Sequence, residues 1–314
     1  MTAVPAGERR KGRAPRPALA ASRAIDILNF MAAVPQKAHS LTELVRQLDL
    51  NPASCHALLG ALTRDGYLER HPRRRTYRLG PALVAIGYGA LECHPAVAIA
   101  RAEAETVARA LGLECLLTGR VGDMLIALAR IGRVEPAVDV LRVGQRVPMI
   151  PPLGTPFLAW AGREAIEAWA ARGGDADRAR HLAALAAVRR RGYAVTLLGP
   201  AQARLGALVS SLAAAPHAAD LQARVATLIA ELGDDYLLPD VDPDEPSRVG
   251  LISVPIFDAQ GEVAYTLSLL GFPRPLRREE IDGFARQLTD ASGAVMRQIN
   301  GRLPGERTAI SRRA

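Results

Sequence analysis

The first 90 residues carry 14 Lys or Arg against six Asp or Glu, a net charge of +8, while the remaining 224 carry 26 of each sign. The whole chain is also +8, so one short segment holds the entire surplus. At 314 residues there is room for two domains, each with its own core. A basic module joined to a neutral, apolar-rich one suggests a reader of a polyanion attached to something that is not one. Arginine outnumbers lysine 38 to two. Arg-rich residue usage explains that ratio and the high isoelectric point, but not the confinement of the charge.

Other features exclude whole classes. Three scattered cysteines, Cys55, Cys93 and Cys115, make no disulfide framework and point to a reducing, cytoplasmic home. Each is read as a small apolar residue. Glu92-Cys93-His94 lacks a second Cys/His pair at zinc spacing, so no metal is expected. Arg9, Arg10, Lys11, Arg13 and Arg16 resemble the basic start of an export signal, but the apolar stretch after them is broken by Arg23, Asp26 and Asn29. Residues 1–20 read instead as a disordered basic tail and 303–314 as a second tail. No run approaches ~20 uncharged apolar residues, so no membrane partner is expected. No phosphate-binding or dinucleotide fingerprint and no Gly-x-Ser-x-Gly elbow occurs, so no cofactor and no catalytic residue are assigned. The acidic run from Asp234 to Glu245 reads as a solvated loop.

Within the basic segment the punctuation is dense. From Ser22, Ile25, Leu28 and Phe30–Met31 recur at helical spacing, ending before Pro35. Ser40-Leu-Thr-Glu43 is a capping box, and Leu41, Leu44, Val45 and Leu48 share one face of the helix it starts. After a tight turn at Asp49 and Leu50, Asn51-Pro52 opens a third helix with a cap and a first-turn proline. Cys55, Leu58, Leu59 and Leu62 line one side of it. Ser54, His56, Ala57, Gly60, Thr63 and Arg64 are left for the other. This is a helix-turn-helix, whose second helix enters the major groove of DNA by its N-terminal end. Gly66 stops that helix. Tyr67 to Leu79 then reads as two strands around a tip of Arg73, Arg74 and Arg75, with Tyr77 and Leu79 alternating with Thr76 and Arg78. A basic-tipped hairpin after a recognition helix is a wing whose guanidinium groups reach phosphate or the minor groove. The helix offers no Arg, Asn or Gln in its first two turns for a bidentate base contact, so discrimination per module is expected to be modest. Ser40, Ser54, His56, Ala57, Thr63, Arg64, Arg73, Arg74, Arg75 and Arg78 form the expected DNA-facing set.

Ser22-Arg-Ala-Ile-Asp-Ile-Leu28, Leu41-Thr-Glu-Leu44, Asp65-Gly66-Tyr67-Leu68, Tyr77-Arg-Leu-Gly80, Gly144-Gln-Arg-Val-Pro148, Arg191-Gly192-Tyr193-Ala194 and Ile252 through Gly261, in that order, resemble the IclR family of bacterial transcriptional regulators. The resemblance spans about residues 22–300. It implies an α+β chain: a winged helix-turn-helix over 21–80, a linker helix over 81–92, and a GAF-like effector-binding and oligomerisation domain over 93–302. It also implies homodimers or homotetramers on palindromic double-stranded operators. Two departures stand out. Ala57 occupies a place where the family often carries Arg. The loop Met149 to Pro156 is one residue shorter than the family's and lacks its usual Gly-Lys-Ala.

The neutral segment reads as mixed helices and strands. Ala96–Leu111 is an amphipathic helix, and Leu113–Thr118 and Met124–Ile131 are strands. Helical stretches follow near 155–172, 178–191, 200–214 and 218–232. Gly250–Phe257 and Glu262–Leu270 form a hairpin about Asp258-Ala-Gln-Gly261, and a last helix starts near Arg278-Glu-Glu280. Thr155-Pro156 starts a helix whose amides favour a carboxylate. By the resemblance, small acids lie between this loop and the last strands, with Ser268 at a ligand-contacting place. Leu153, Gly154, Thr155, Leu251, Ser268 and Leu270 are the expected effector-binding set, and its apolar walls suggest an aromatic or hydrophobic acid. The reading is a regulator whose effector alters operator affinity. Two alternatives stay open: a ligand-blind DNA-binding protein whose second domain only dimerises, and an enzyme with a fused DNA-binding arm.

Overall fold

The computed structural model describes residues 18–132, 141–173, 177–199, 204, 224, 227–228 and 245–304. Of the tails expected at 1–20 and 303–314, residues 18–20 and 303–304 are described, and Leu19 and Ala20 already belong to the first helix rather than to a tail. The rest of both tails and most of the acidic run lie outside these residues, as do the helices expected at 200–214 and 218–232 apart from the helical Arg204, Arg224, Thr227 and Leu228.

The N-terminal module is built as its punctuation dictates. Helix α1 (Leu19–Ala33) buries Ile27, Phe30 and Met31, while Ile25 is exposed. The stripe is thus rotated from the expected one: two residues before Ile27 is about 200° around the helix. Strand β1 (His39–Ser40) runs into α2 (Leu41–Gln47), where Ser40 Oγ accepts the Glu43 amide at 3.2 Å. Asp49 takes φ 49° in the turn. In α3 (Pro52–Arg64) Asn51 Oδ1 accepts from the amides of Ala53 and Ser54. Strands β2 (Leu68–Arg70) and β3 (Thr76–Leu79) form the wing, and β1 pairs on the far side of β3. Gly80 seals the base of the hairpin: a Cβ there would lie 2.2 Å from the Gly66 carbonyl oxygen.

Helix α4 (Ala82–Cys93) buries no residue, and α5 (Pro95–Leu111) follows at a 95° bend. Among the described residues no single helix is long and apolar enough to cross a membrane. Cys55 and Cys115 are buried, as small apolar residues would be, but Cys93 is exposed at the end of α4.

The second domain is a six-stranded antiparallel sheet with helices. Its strands are β4 (Glu114–Val121), β5 (Met124–Ile131), β6 (Arg146–Pro148), β7 (Ala194–Leu197), β8 (Val249–Phe257) and β9 (Val263–Leu270), in the order β6-β5-β4-β9-β8-β7. The remaining helices are α6 (Thr155–Leu158), α7 (Arg163–Ala171), α8 (Arg178–Arg191) and α9 (Arg278–Ile299). The helix expected over 155–172 is therefore two, separated where Gly162 takes an extended conformation and caps α7.

Alternation along the strands gives the sheet two unlike faces. One presents Cys115, Leu117, Ala129, Val195, Ile252, Val254, Ile256, Leu267 and Leu269 to α5 and α9. Ala100, Ala104 and Ala108 form a small-residue ridge on α5 that lets α9 approach closely. Ser292 on α9 donates to the carbonyl of Pro255 at 2.6 Å. Glu280 accepts the Arg277 amide, closing the capping box of α9. The Arg274 guanidinium hydrogen-bonded to that carboxylate holds its pKa down to about 2.

Candidate DNA-binding surface and effector pocket

On the N-terminal module, Ser54, His56, Ala57, Gly60 and Arg64 lie on the side of α3 away from the core, with His56, Ala57, Gly60 and Arg64 exposed and Ser54 half-buried. Thr63 departs from the expectation. Its Oγ1 is buried, because position 63 falls about 40° from buried Leu59 on the helix, and it has no partner among the described residues. Arg64 is fixed by Asp65 (Nε to Oδ1 3.0 Å), and Arg78 by Glu69 across the hairpin (Nε to Oε2 2.7 Å). Ser40 spends its acceptor on the cap.

The wing tip is different. Arg73, Arg74 and Arg75 are exposed, and among the described residues no ion pair engages them. The His71 ring organises the tip, Nδ1 accepting the amides of Arg73 (3.3 Å) and Arg74 (3.1 Å), while Arg75 adopts φ 54°. Three guanidinium groups thus project from a turn whose backbone is already ordered.

In the second domain the expected effector residues converge on the sheet face opposite α5 and α9. Register pairs Leu251 with Leu270, Ser253 with Ser268, and Ser268 with Leu116. Leu270, Leu116 and Ala127 cluster with half-buried Leu251 and Leu141. Leu153 and Phe157 pack with Leu125, Val147 and Ala194 on the same face. Along the strands, the Ser253–Ser268 and Thr118–Thr266 pairs stand between these two apolar clusters.

The loop over this face is tightly built. Gly154 takes φ 87°, and a Cβ there would lie 2.3 Å from Met149 Cγ, so only glycine fits. Thr155 is fully buried and its Oγ1 donates to the Pro152 carbonyl at 2.6 Å. The amides of Leu153, Phe157 and Leu158 are used inside the loop, and Pro156 has none. Those of Gly154 and Thr155 have no backbone partner among the described residues and stand in a left-handed then right-handed pair of the kind that forms an anion-binding nest. Trp169 Nε1 braces the loop through the Leu153 carbonyl at 2.9 Å.

Sequence reasoning missed Ser253, Thr196 and Leu116. Ser253 Oγ lies 2.7 Å from Ser268 Oγ, so one hydroxyl of the pair still has a proton to give. Thr196 on β7, in register with Leu251, has its Oγ1 buried with no partner among the described residues. A buried hydroxyl left unpaired costs about 1–3 kcal/mol. Glu114, at the end of the same face, is forked onto Arg130 (Nη2 to Oε2 2.9 Å), which neutralises both.

A basic winged helix-turn-helix followed by a sheet-based domain with one semi-polar buried face defines a DNA-binding regulator. Residues 20–72 match the IclR helix-turn-helix domain. The chain is 25% identical over 264 residues, 82% of its length and 88% of the relative's, to the HTH-type transcriptional regulator XynR of Escherichia coli strain K12. A solved IclR transcriptional regulator from Alicyclobacillus acidocaldarius superposes with a TM-score of 0.64 at 22% identity, over 89% of this chain and 98% of that one. An IclR homologue from Microbacterium hydrocarbonoxydans, complexed with 4-hydroxybenzoate, gives a TM-score of 0.61 at 19% identity over 90% and 99%. The resemblance to the IclR family read from the sequence is borne out: residues 20–72 match that family's helix-turn-helix domain, and the chain is similar over most of its length to IclR-type transcriptional regulators.

Proposed function

We propose that the protein works in the cytoplasm as a homodimer, or as a homotetramer of two such dimers, that grips a palindromic operator and releases or tightens its hold when a small monoacid enters the second domain. The observation that carries the DNA half is the exposed Arg73–Arg75 tip beside the outward face of α3. Ser54, His56 and Ala57 face the major groove, while the wing arginines take phosphates or the minor groove. With Arg64 and Arg78 each shared with a carboxylate, and Thr63 turned inward, the tip supplies most of the electrostatic grip. Modest base readout per module is then offset by two modules acting together.

The dimer rests on α4. Val84 is 59% exposed, Ile86 50% and Tyr88 68%, in a helix apolar on every side. Such a helix is not left in water, and a second copy of α4 is the occupant that also brings two wings to one duplex. In the second domain the Gly154 and Thr155 amides hold the acid's carboxylate, and Leu251, Leu270 and Leu153 enclose its apolar body. The 4-hydroxybenzoate bound by the Microbacterium homologue fits this chemistry. No catalytic step is assigned.

Footprinting of the full-length protein on DNA upstream of its own and adjacent genes tests the reading. Two protected half-sites related by a two-fold axis, with centres about 34 Å apart, are expected. Binding with no preference for such DNA over random duplex overturns it.

A further inference from the structure

We infer that His71 is a DNA-contacting residue of the wing, its ring Nε2–H donating to a phosphate oxygen of the duplex while its Nδ1 holds the three arginines in place. The inference rests on the wing reading above and deepens it. Backbone bonds close the tip, the His71 amide donating to the Thr76 carbonyl at 2.8 Å and the Arg75 amide to the His71 carbonyl at 3.0 Å. Inside that frame Nδ1 accepts from the amides of Arg73 and Arg74, at 3.3 and 3.1 Å. A ring nitrogen that accepts carries no proton, so the proton of the neutral imidazole sits on Nε2, which can only donate. His71 is exposed, and among the described residues nothing accepts that proton. The wing's own carboxylate, Glu69, is taken by Arg78 at 2.7 Å.

The type of side chain fits this work. At the start of α3 Asn51 makes the same pattern, accepting the amides two and three residues on at 2.9 and 3.3 Å. Asn or Asp is the usual residue for such a turn. At the wing tip an aspartate would accept as well, but it would set a negative charge among Arg73, Arg74 and Arg75 and against the phosphates. An asparagine would donate only from close to the backbone. Imidazole separates the two tasks across a rigid ring, the acceptor next to the turn and the donor farther out. A phosphate oxygen rewards such a donor most, because the hydrogen bond is charge-assisted, and contacts of this kind fix a protein's register on the duplex. A neutral donor neutralises no phosphate, so it adds affinity without adding to counterion release. The answer to salt therefore sets His71 apart from its three neighbours.

Operator binding by the full-length protein over a series of salt concentrations, with His71→Asn and His71→Ala, tests this. His71→Asn keeps the acceptor at the turn, so binding ~tenfold weaker with the salt slope unchanged is expected. His71→Ala loses the acceptor too; it should bind more weakly still and with a flatter slope, because the arginines are no longer held. Hydrogen exchange at residues 71–76 without DNA separates the two tasks. Exchange as slow in His71→Asn as in the wild type, and faster in His71→Ala, is expected. Single uncharged methylphosphonates placed along the operator then locate the contact. The difference between wild type and His71→Asn should vanish at one position in each half-site and persist at the others. Wild-type affinity or a flatter slope in His71→Asn, a difference that no methylphosphonate removes, or equal exchange in all three proteins overturns the inference and leaves the wing standing. An unchanged slope on replacing Arg73, Arg74 and Arg75 by Ala overturns the wing reading itself, and the inference with it.

Discussion

Single residues carry much of the proposed effector site. Thr196→Val exchanges an unpaired buried hydroxyl for a methyl of the same shape, so the ligand-free protein should gain about 1 kcal/mol, read as a raised denaturation midpoint. Gly154→Ala should do the reverse. The new methyl meets Met149 and the positive φ is strained, so a loss of about 1–3 kcal/mol and of acid binding is expected. His39 and His181 are both buried, and burial pushes their pKa below the usual 6.5. Desolvation is the leading cause in each, outweighing the nearby Glu43 at His39 and reinforced by Arg180 at His181. Each ring takes up a proton less readily in the folded protein than in the unfolded chain, where it titrates around the ordinary 6.5. Stability is therefore complete above that pH and declines as acid is added. Melting temperatures at about pH 7.5 and pH 5.5 should show the fall, and His181→Gln should reduce it.

At the level of elements, those that carried their own start and stop signals were legible. Asn51-Pro52, Ser40 with Glu43, and Gly66 bounded the helices and the wing where the structure has them. Strands β6 and β7, of three and four residues, were too short to show a period, and Thr196 was lost with β7. Ser253 was hidden by a different cause. The register shift between Ile256 and Phe257 moves the pairing by one, so counting back from the Asp258–Gly261 turn sets Ser253 opposite Leu267 and on the wrong face. Helix α4 falls where the resemblance implied a linker helix, and its proposed role as the dimer seam can be tested. Ile86→Asp with Tyr88→Asp should shift the full-length protein to monomers in analytical ultracentrifugation and abolish half-site pairing, without loss of helical signal. Inserting one alanine within α4 turns everything beyond it by about 100°. Operator binding should then lose its response to acid, and an unaltered response would remove α4 from the transmission path.

Across the whole molecule, the division of labour follows the division of charge. On the proposed reading the +8 segment supplies affinity for any duplex and the neutral segment supplies the effector site, and α4 spans the junction between them in the chain. An acid that prefers one dimer geometry changes operator affinity by its differential binding, typically 1–3 kcal/mol, or about five- to 150-fold. All of this requires that the excess positive charge grips phosphate. The salt dependence of operator binding by the full-length protein, compared with Arg73→Ala/Arg74→Ala/Arg75→Ala, measures that grip. The slope of log affinity against log salt should flatten by about 0.9 for each phosphate no longer neutralised, up to ~2.7 per protomer. An identical slope in the two proteins would mean that the wing never touches DNA.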